Sequence, residues 1–412
     1  MDLISLQAVL FVGAAVLAVA LPVPMGARRV LLLGANAAFL YLFHPLAPLV
    51  FLAVSLLGFG VARMAAAGAA TPLLVLAGAP LLLPLFLPKL ALFSGASGSI
   101  AGAAAAGEAA GVGNVVGARM AYFIGASYFT LRALHCVIDA RRQRRLHFGL
   151  FDFLVYNSFF PTIVSGPIER ADHFAQTYGR LGRPSLDDLG AGVVRLFQGL
   201  IKKVVLGSIA LQWAAPITGF AHTMGGAAAP GAGEAWLALY AIALYAYFDF
   251  AGYTDLALGV GRLMGIRLAE NFDNPYLRPS IAEFWRGWHL TLSFWIRDYL
   301  FLPMCGRSAS AVRPHLAALG SMTLCGLWHA PNVGWGLWGL AHGAGLSVHQ
   351  AWTVWLRKRF KLKRRLAGSR AVRVVAVLLT FHFVALTWTL VSIDPNRLSP
   401  TLAYLRVLFG MA

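Results

Sequence analysis

The 412-residue chain is 59% hydrophobic and only 12% charged, with a formal net charge of +18. Its mean hydropathy of +0.70 excludes an ordinary soluble globular domain, in which about a quarter of the residues are charged. The three cysteines, Cys136, Cys305 and Cys325, show neither a CxxC spacing nor a His/Cys cluster, so neither a zinc site nor a disulfide framework is indicated and a packing role is expected.

Such a chain belongs in a lipid bilayer, where each helical crossing takes about 20 apolar residues. The length suits one continuous all-α domain over residues 1–412, a polytopic bundle of roughly ten to twelve helical elements, some shorter than a full crossing. Residues 3–22 form a first apolar run. Pro22, Pro24 and Arg28-Arg29 come after it in place of a small-residue cleavage pattern, which predicts a retained span and not a cleaved signal peptide. Further spans are predicted over about 30–44, 47–62 and 72–94, and the Gly/Ala-rich run from Ser94 to Gly117 reads as a flexible loop.

The apolar pattern resumes over 119–138, with His135 and Asp139 at one end expected to snorkel at the interface. Pro161 and Pro167 fall in or just after the next apolar helix, FGLFDFLVYNSFFPTIVSGPIER. They interrupt the hydrogen-bond ladder and leave carbonyls for protein or water to satisfy, so a broken or re-entrant segment facing a cavity is expected. Residues 172–187 read as a polar loop, 190–214 as a span with Lys202-Lys203 within it or at its edge, Gly225–Gly233 as a linker and 236–253 as an aromatic-rich span. Spans near 314–330, 333–356 and 371–392 and a short apolar piece from about 400 complete the chain.

Basic residues cluster at Arg28-Arg29, Ala140–Arg145, Lys202-Lys203 and Arg357–Arg365. A nucleic-acid patch is the competing reading, but every cluster adjoins an apolar segment, as the positive-inside rule requires of cytoplasmic loops facing anionic lipid. The expected partner is therefore the bilayer and not nucleic acid.

Polar chemistry concentrates between Tyr247 and Pro303 and again at LWHAP, Leu327–Pro331. Ionisable groups at membrane depth are costly and rare without a role. A helix from Glu283 onward would place Glu283, Arg286, His289, Ser293 and Arg297 in one sector and Trp285, Trp288, Leu292 and Trp295 on the other side. Taken alone, this pattern equally describes an interfacial amphipathic helix. His329 stands in apolar surroundings and is of the residue type that both accepts and returns a proton near neutral pH, although a buried histidine can also merely bond a carbonyl. Gly339 and Gly343 allow a close helix contact, and His342 is expected to serve packing. Gly259, Gly261 and Gly265 lack the spacing and context of a nucleotide fingerprint, and no P-loop, nucleophile elbow or HExxH is present.

Together the segments YFDFAGYTDLALGVGRLMG, ENFDNPYLRPSIAEFWRGWHLTLSFWIRDYLFLP, GLWHAPNVGWGLWGLAHG, FFPTIVSGPIERA and GLIKKVVLG resemble a bacterial branch of the membrane-bound O-acyltransferase family, the branch that acetylates alginate or D-alanylates lipoteichoic acid. The resemblance covers roughly residues 120–350. It implies a helical membrane fold with broken or re-entrant helices around a central tunnel. It also implies His329 as catalytic base, His289 as its partner, and Arg286, Trp285, Asn271, Asn274, Ser293 and Trp328 as substrate-binding candidates. Where the branch commonly has FWRRWH and LWHG, this chain has Gly287 and Ala330, a change expected to affect how a carrier docks and not the chemistry.

The resemblance further implies an acyl thioester donor, acetyl-CoA or an acyl carrier protein, used as substrate with no tightly bound cofactor. The acceptor is expected to be an extracytoplasmic polysaccharide or an acyl-relay protein, and the location the bacterial cytoplasmic membrane. D-alanyl transfer is the alternative within the class. An ion-coupled transporter, or a scaffold for a separate acyltransferase, is the alternative outside it. A metal site has little support, because His289 and His329 lack a third clear ligand.

Overall fold

A computed structural model of the chain describes residues 6–43, 45–83, 113–220, 230–306, 310–357, 359 and 369–411, and among these every regular element is helical. That is what lipid demands of a chain without a closed barrel, since each backbone N–H and C=O must be satisfied within its own segment. The predicted loop from Ser94 lies outside the described residues up to 112, and its last residues, 113–117, belong to a helix. The Gly225–Gly233 linker is likewise outside them up to 229, as is most of the basic run after Arg357.

Among the described residues three helices are long and apolar enough to cross a membrane: Ala47–Ala66, Ala232–Leu263 and Arg370–Ser392. Prolines in the first turns of Ala47–Ala66, of Thr71–Gly78 and of Arg313–His329 start helices where the missing N–H costs nothing. Leu76, Phe197, Trp213 and Leu379 are more than half exposed. Apolar exposure on this scale suits contact with acyl chains and not with water.

Two compact units are distinguished, Met1–Gly199 with Tyr253–Ala269, and Leu200–Gly252 with Glu270–Ala412. The first contains α1 (Leu6–Ala20), α2 (Met25–Phe43), α3 (Ala47–Ala66), α4 (Thr71–Gly78), α5 (Gly113–Gln143), α6 (Leu150–Ser158), α7 (Phe160–Ile163), α8 (Ala171–Tyr178) and α9 (Leu186–Leu200) up to Gly199. Its core is aromatic, with Phe39, Phe51, Phe129, Tyr156, Phe159, Phe160 and Phe174 buried together. The expected break appears between α6 and α7, and it is satisfied by protein. Arg132 on α5, fully buried, donates to the carbonyls of Tyr156, Asn157, Thr162 and Pro167 at 3.1–3.4 Å. A guanidinium suits this duty because it offers five donors in a fixed plane.

One expectation for this unit is corrected. His135 does not snorkel at the interface; it is fully buried, with Nε2 3.2 Å from the Tyr156 hydroxyl. The helix continues to Gln143, so His135 sits two turns inside its end.

The second unit contains α10 (Gly207–Trp213), α11 (Ala215–Thr218), the first part of α12 (Ala232–Leu263), α13 (Ile281–Phe284), α14 (Leu290–Ile296), α15 (Leu302–Cys305), α16 (Arg313–His329), α17 (Val333–Arg357), α18 (Arg370–Ser392) and α19 (Leu398–Leu408). A π-helical turn, Ile201–Leu206, carries Lys203, which pairs with Asp249 on α12. Along α16 and α17 the backbones meet at glycines. A Cβ on Gly326 would fall 2.0 Å from the Trp335 carbonyl oxygen, and one on Gly339 2.2 Å from that of Met322. Gly343 closes on Ala318 in the same way, so the contact expected of the Gly339/Gly343 pair forms.

Candidate active site

The predicted helix through Glu283 and Arg297 is not continuous. It is broken into α13, α14 and a π-helical turn over Arg297–Phe301. Backbone from the preceding loop causes the break, since the Asp273 N–H donates to the Gly287 carbonyl at 2.9 Å. A Cβ on Gly287 would lie 2.6 Å from the Asp273 carbonyl oxygen. The expected division survives in burial: Trp285, Trp288, Leu292 and Trp295 are buried, while Arg286 and Arg297 are exposed. His289 departs from its sector and is buried, 1% exposed.

His289 closes the break in the left-handed region, at φ 42° and ψ 57°, a conformation that costs a non-glycine residue free energy and must be held by its surroundings. Asn271 holds it. Its backbone carbonyl accepts the Leu290 N–H at 2.9 Å, and its Oδ1 accepts the Thr291 N–H at 3.3 Å and the Thr291 hydroxyl at 2.7 Å. The His289 ring stands edge-on to Phe250, 4.6 Å between centroids. Its Nε2 has no hydrogen-bond partner among the described residues.

His329 is the last residue of α16. Pro331 disfavours helical backbone at the residue before it, and Ala330 is extended, at φ −156° and ψ 137°. The imidazole stacks on Trp335 at 4.6 Å, with Trp328 at 4.8 Å and the edge of Trp338 at 5.9 Å.

The same unit contains a cavity of about 590 Å³. Its polar wall is formed by Trp285, Arg286, Ser293, Arg297, His349 and Gln350, and its apolar wall includes Phe294, Met322 and Leu346. The Ser293 hydroxyl donates to the Trp285 carbonyl at 2.6 Å, and the Arg297 guanidinium covers the Phe294 ring at 5.0 Å. Three predicted substrate contacts, Trp285, Arg286 and Ser293, thus share one cavity, whereas His289 and His329 are not among its lining residues. Trp328 belongs to the aromatic cluster around His329. Asn271 braces the His289 turn, and Asn274 is an exposed residue at φ 42° whose Nδ2 donates to Asp273 at 3.2 Å. Neither asparagine lines the cavity. Among the described residues no group of three His, Cys, Asp or Glu side chains is placed to hold a metal ion.

Three contributors went unread in the sequence as site residues: Trp335, Trp338 and His342. Their i, i+3, i+7 spacing on α17 puts them on one helix face, which is the signal that finds them. His342 is fully buried, as a packing role requires.

Residues 123–392 match the sequence profile of the membrane-bound O-acyltransferase family. A protein of Pseudomonas aeruginosa named "Probable alginate O-acetylase AlgI" is 32% identical over 268 residues, 65% of this chain and 48% of that protein. The teichoic acid D-alanyltransferase of Bacillus subtilis is 31% identical over 66% of this chain and 69% of its own length. A peptidoglycan O-acetyltransferase of Helicobacter pylori is 30% identical over 69% and 56% respectively. This chain spans about half the length of the alginate O-acetylases that it matches. The matched region contains both histidines and the whole cavity wall, and the chain belongs to the membrane-bound O-acyltransferase family.

Proposed function

We propose that this chain transfers an acyl group, in the first instance acetyl, from a cytoplasmic thioester to a hydroxyl of an extracytoplasmic polysaccharide or of a protein that relays the group onward. In this reading it is a multi-pass protein of the bacterial cytoplasmic membrane, and its donor is acetyl-CoA or an acyl carrier protein. The observation that carries the reading is His289, buried in left-handed backbone with no hydrogen-bond partner on Nε2 among the described residues, in the unit that also holds a cavity walled by Trp285, Arg286 and Ser293.

His329 accepts the acceptor's hydroxyl proton as that oxygen bonds to the thioester carbonyl carbon. The tetrahedral species then collapses with cleavage of the C–S bond, and the protonated His329 gives that proton to the departing thiolate. His289, with its buried Nε2, and Arg286 supply hydrogen-bond donors for the oxyanion. The excess of basic side chains attracts an anionic donor to the cytoplasmic face.

The test is acyl transfer by the purified protein in lipid nanodiscs with labelled acetyl-CoA and acetylated carrier protein. His329→Ala is expected to insert normally and lose about 10²- to 10⁴-fold in turnover, the usual contribution of a positioned general base. Wild-type rates in that variant would overturn the assignment, and an ion-coupled transporter would consume no thioester at all.

D-alanyl transfer is a second reading. It is favoured by coverage, because the match extends over 69% of the Bacillus subtilis D-alanyltransferase and 48% of the Pseudomonas aeruginosa protein. Mass spectrometry of envelope polymers with and without this chain separates an acetyl from an alanyl increment.

A further inference from the structure

His342 is a fully buried imidazole that the acyl-transfer scheme does not use, yet both of its nitrogens are committed. The Trp285 indole lies with Nε1 3.2 Å from His342 Nδ1. An indole N–H can only donate, so Nδ1 must be the bare, accepting nitrogen. Nε2 lies 3.0 Å from the Thr387 hydroxyl oxygen, and that hydroxyl donates its own hydrogen to the Val384 carbonyl at 2.7 Å. Nε2 therefore carries the hydrogen and donates to Thr387. One neutral tautomer satisfies the whole chain from Val384 through Thr387 and His342 to Trp285. Protonation of Nδ1 would set two N–H groups against each other.

This hydrogen-bond chain fixes a wall. Trp285 lines the cavity, and its ring lies 5.9 Å from Trp338, whose ring lies 5.9 Å from His329. His342 also contacts Trp338 directly, at 4.4 Å. Along α17, Trp338 and His342 are followed on the same face by the cavity residues Leu346 and His349. At 1.5 Å per residue, Leu346 lies about 12 Å along the axis from Trp338. A group lodged in the cavity is therefore bounded by Trp285, whose neighbour Trp338 in turn lies against His329.

We propose that Trp285, held by the hydrogen-bond chain from Thr387 through His342, determines which acyl chains the site takes, admitting short ones and rejecting long ones. His342 is the positioning residue of this device. The inference rests on the acyl-transfer reading of the cavity, but it is tested by binding, which needs no turnover.

The probes are S-ethyl- and S-hexyl-coenzyme A, thioethers that cannot transfer their alkyl group, titrated into the full chain in nanodiscs. The wild type is expected to bind the ethyl compound at least about 10-fold more tightly, as apolar pockets discriminate by about 10- to 200-fold per methylene. Trp285→Ala and His342→Leu are expected to bring the ratio of the two dissociation constants to about one. His342→Gln, whose amide offers an acceptor and a donor in place of the two ring nitrogens, is expected to restore the wild-type ratio. A general loss of stability would weaken both probes alike and leave the ratio unchanged.

The inference is overturned if the wild type binds both probes equally or neither, if His342→Leu keeps the preference, or if His342→Gln loses it as fully as His342→Leu. Should His342→Leu fail to fold, Trp285→Phe and Thr387→Val read the same ratio, and an unchanged preference in both overturns the proposal. Failure of the acyl-transfer reading is seen separately, as a wild type that consumes no thioester while its binding preference stands.

Discussion

His289 and His329 are set in place by opposite local devices. His329 ends a regular helix because Pro331 lies just beyond it, while His289 sits in strained backbone that only its neighbours make affordable. Asn271 is the residue on which that strain rests, through its bonds to Leu290 and Thr291. Asn271→Ala removes the acceptor shared by the Thr291 N–H and hydroxyl, a change that costs about 1–3 kcal/mol at a buried site. A lowered melting temperature is expected, together with a fall in turnover larger than the loss of folded protein, because His289 is displaced. Thr291→Val is expected to cost less. The double variant should be less destabilised than the sum of the two, since both changes break the same interaction. A strictly additive pair in thermal melts would show that Asn271 does not act through Thr291.

At the scale of elements, each unit has a seam that can be tested on its own. Between α16 and α17 the close approach at Gly326 brings Trp335 and Trp338 onto His329. Gly326→Ala requires backbone to move away from the Trp335 carbonyl, and such overpacking costs about 1–3 kcal/mol. Gly336→Ala on the same helix as Trp335 meets only the end of Leu327, at 3.5 Å, and is expected to be neutral or slightly stabilising, alanine being the better helix former. Thermal melts and turnover of the two variants compare them directly. The second seam, in the other unit, is Asp188 at the polar start of α9, where its Oδ1 accepts from Arg262 at 3.3 Å and Arg267 at 2.9 Å. Burial alone would raise this carboxyl, but the bonds from Arg267 and Ser185 outweigh it and hold the pKa down to about 2. Because the folded value lies below the unfolded one of about 3.9, this stabilisation is complete above about pH 4 and is lost as pH falls toward 2. The depression is equivalent to about 2–3 kcal/mol, and Asp188→Asn is expected to flatten the acid limb of the unfolding curve over that window. How far these elements were legible differs by cause. The helical class, the α6–α7 break and the Gly339/Gly343 contact stem from hydropathy, proline and glycine, which act locally. The fracture of the Glu283–Arg297 segment depends on the loop at Asp273 occupying the helix path, a contact between distant residues that no period in the sequence records. The burial of His135 likewise depends on Tyr156, 21 positions away. Trp335, Trp338 and His342 went unread although their spacing marks one helix face, because which partner that face meets is a tertiary fact.

At the scale of the whole molecule, the solvent decides what the exposed surface means. Val375, Leu378 and Leu379 on α18 are all more than half exposed, Leu379 at 67%, on a helix that is long and apolar enough to cross a membrane. In water an exposed leucine is neutral toward substitution, and arginine would be welcome there. In hydrocarbon the same position penalises a charge whatever the folded contacts are. Leu379 lies near the middle of Arg370–Ser392, where arginine costs about 2.5–3.5 kcal/mol on insertion scales. Leu379→Ala removes little that the protein itself contacts and is expected to leave expression and melting almost unchanged. Leu379→Arg is expected to lower the membrane-integrated fraction of α18 in a glycosylation-based insertion assay and to reduce the yield of folded protein. Should Leu379→Arg insert and melt like the wild type, the α18 face would have to meet water or protein instead of lipid, and the apolar surface would then need a partner in place of a bilayer.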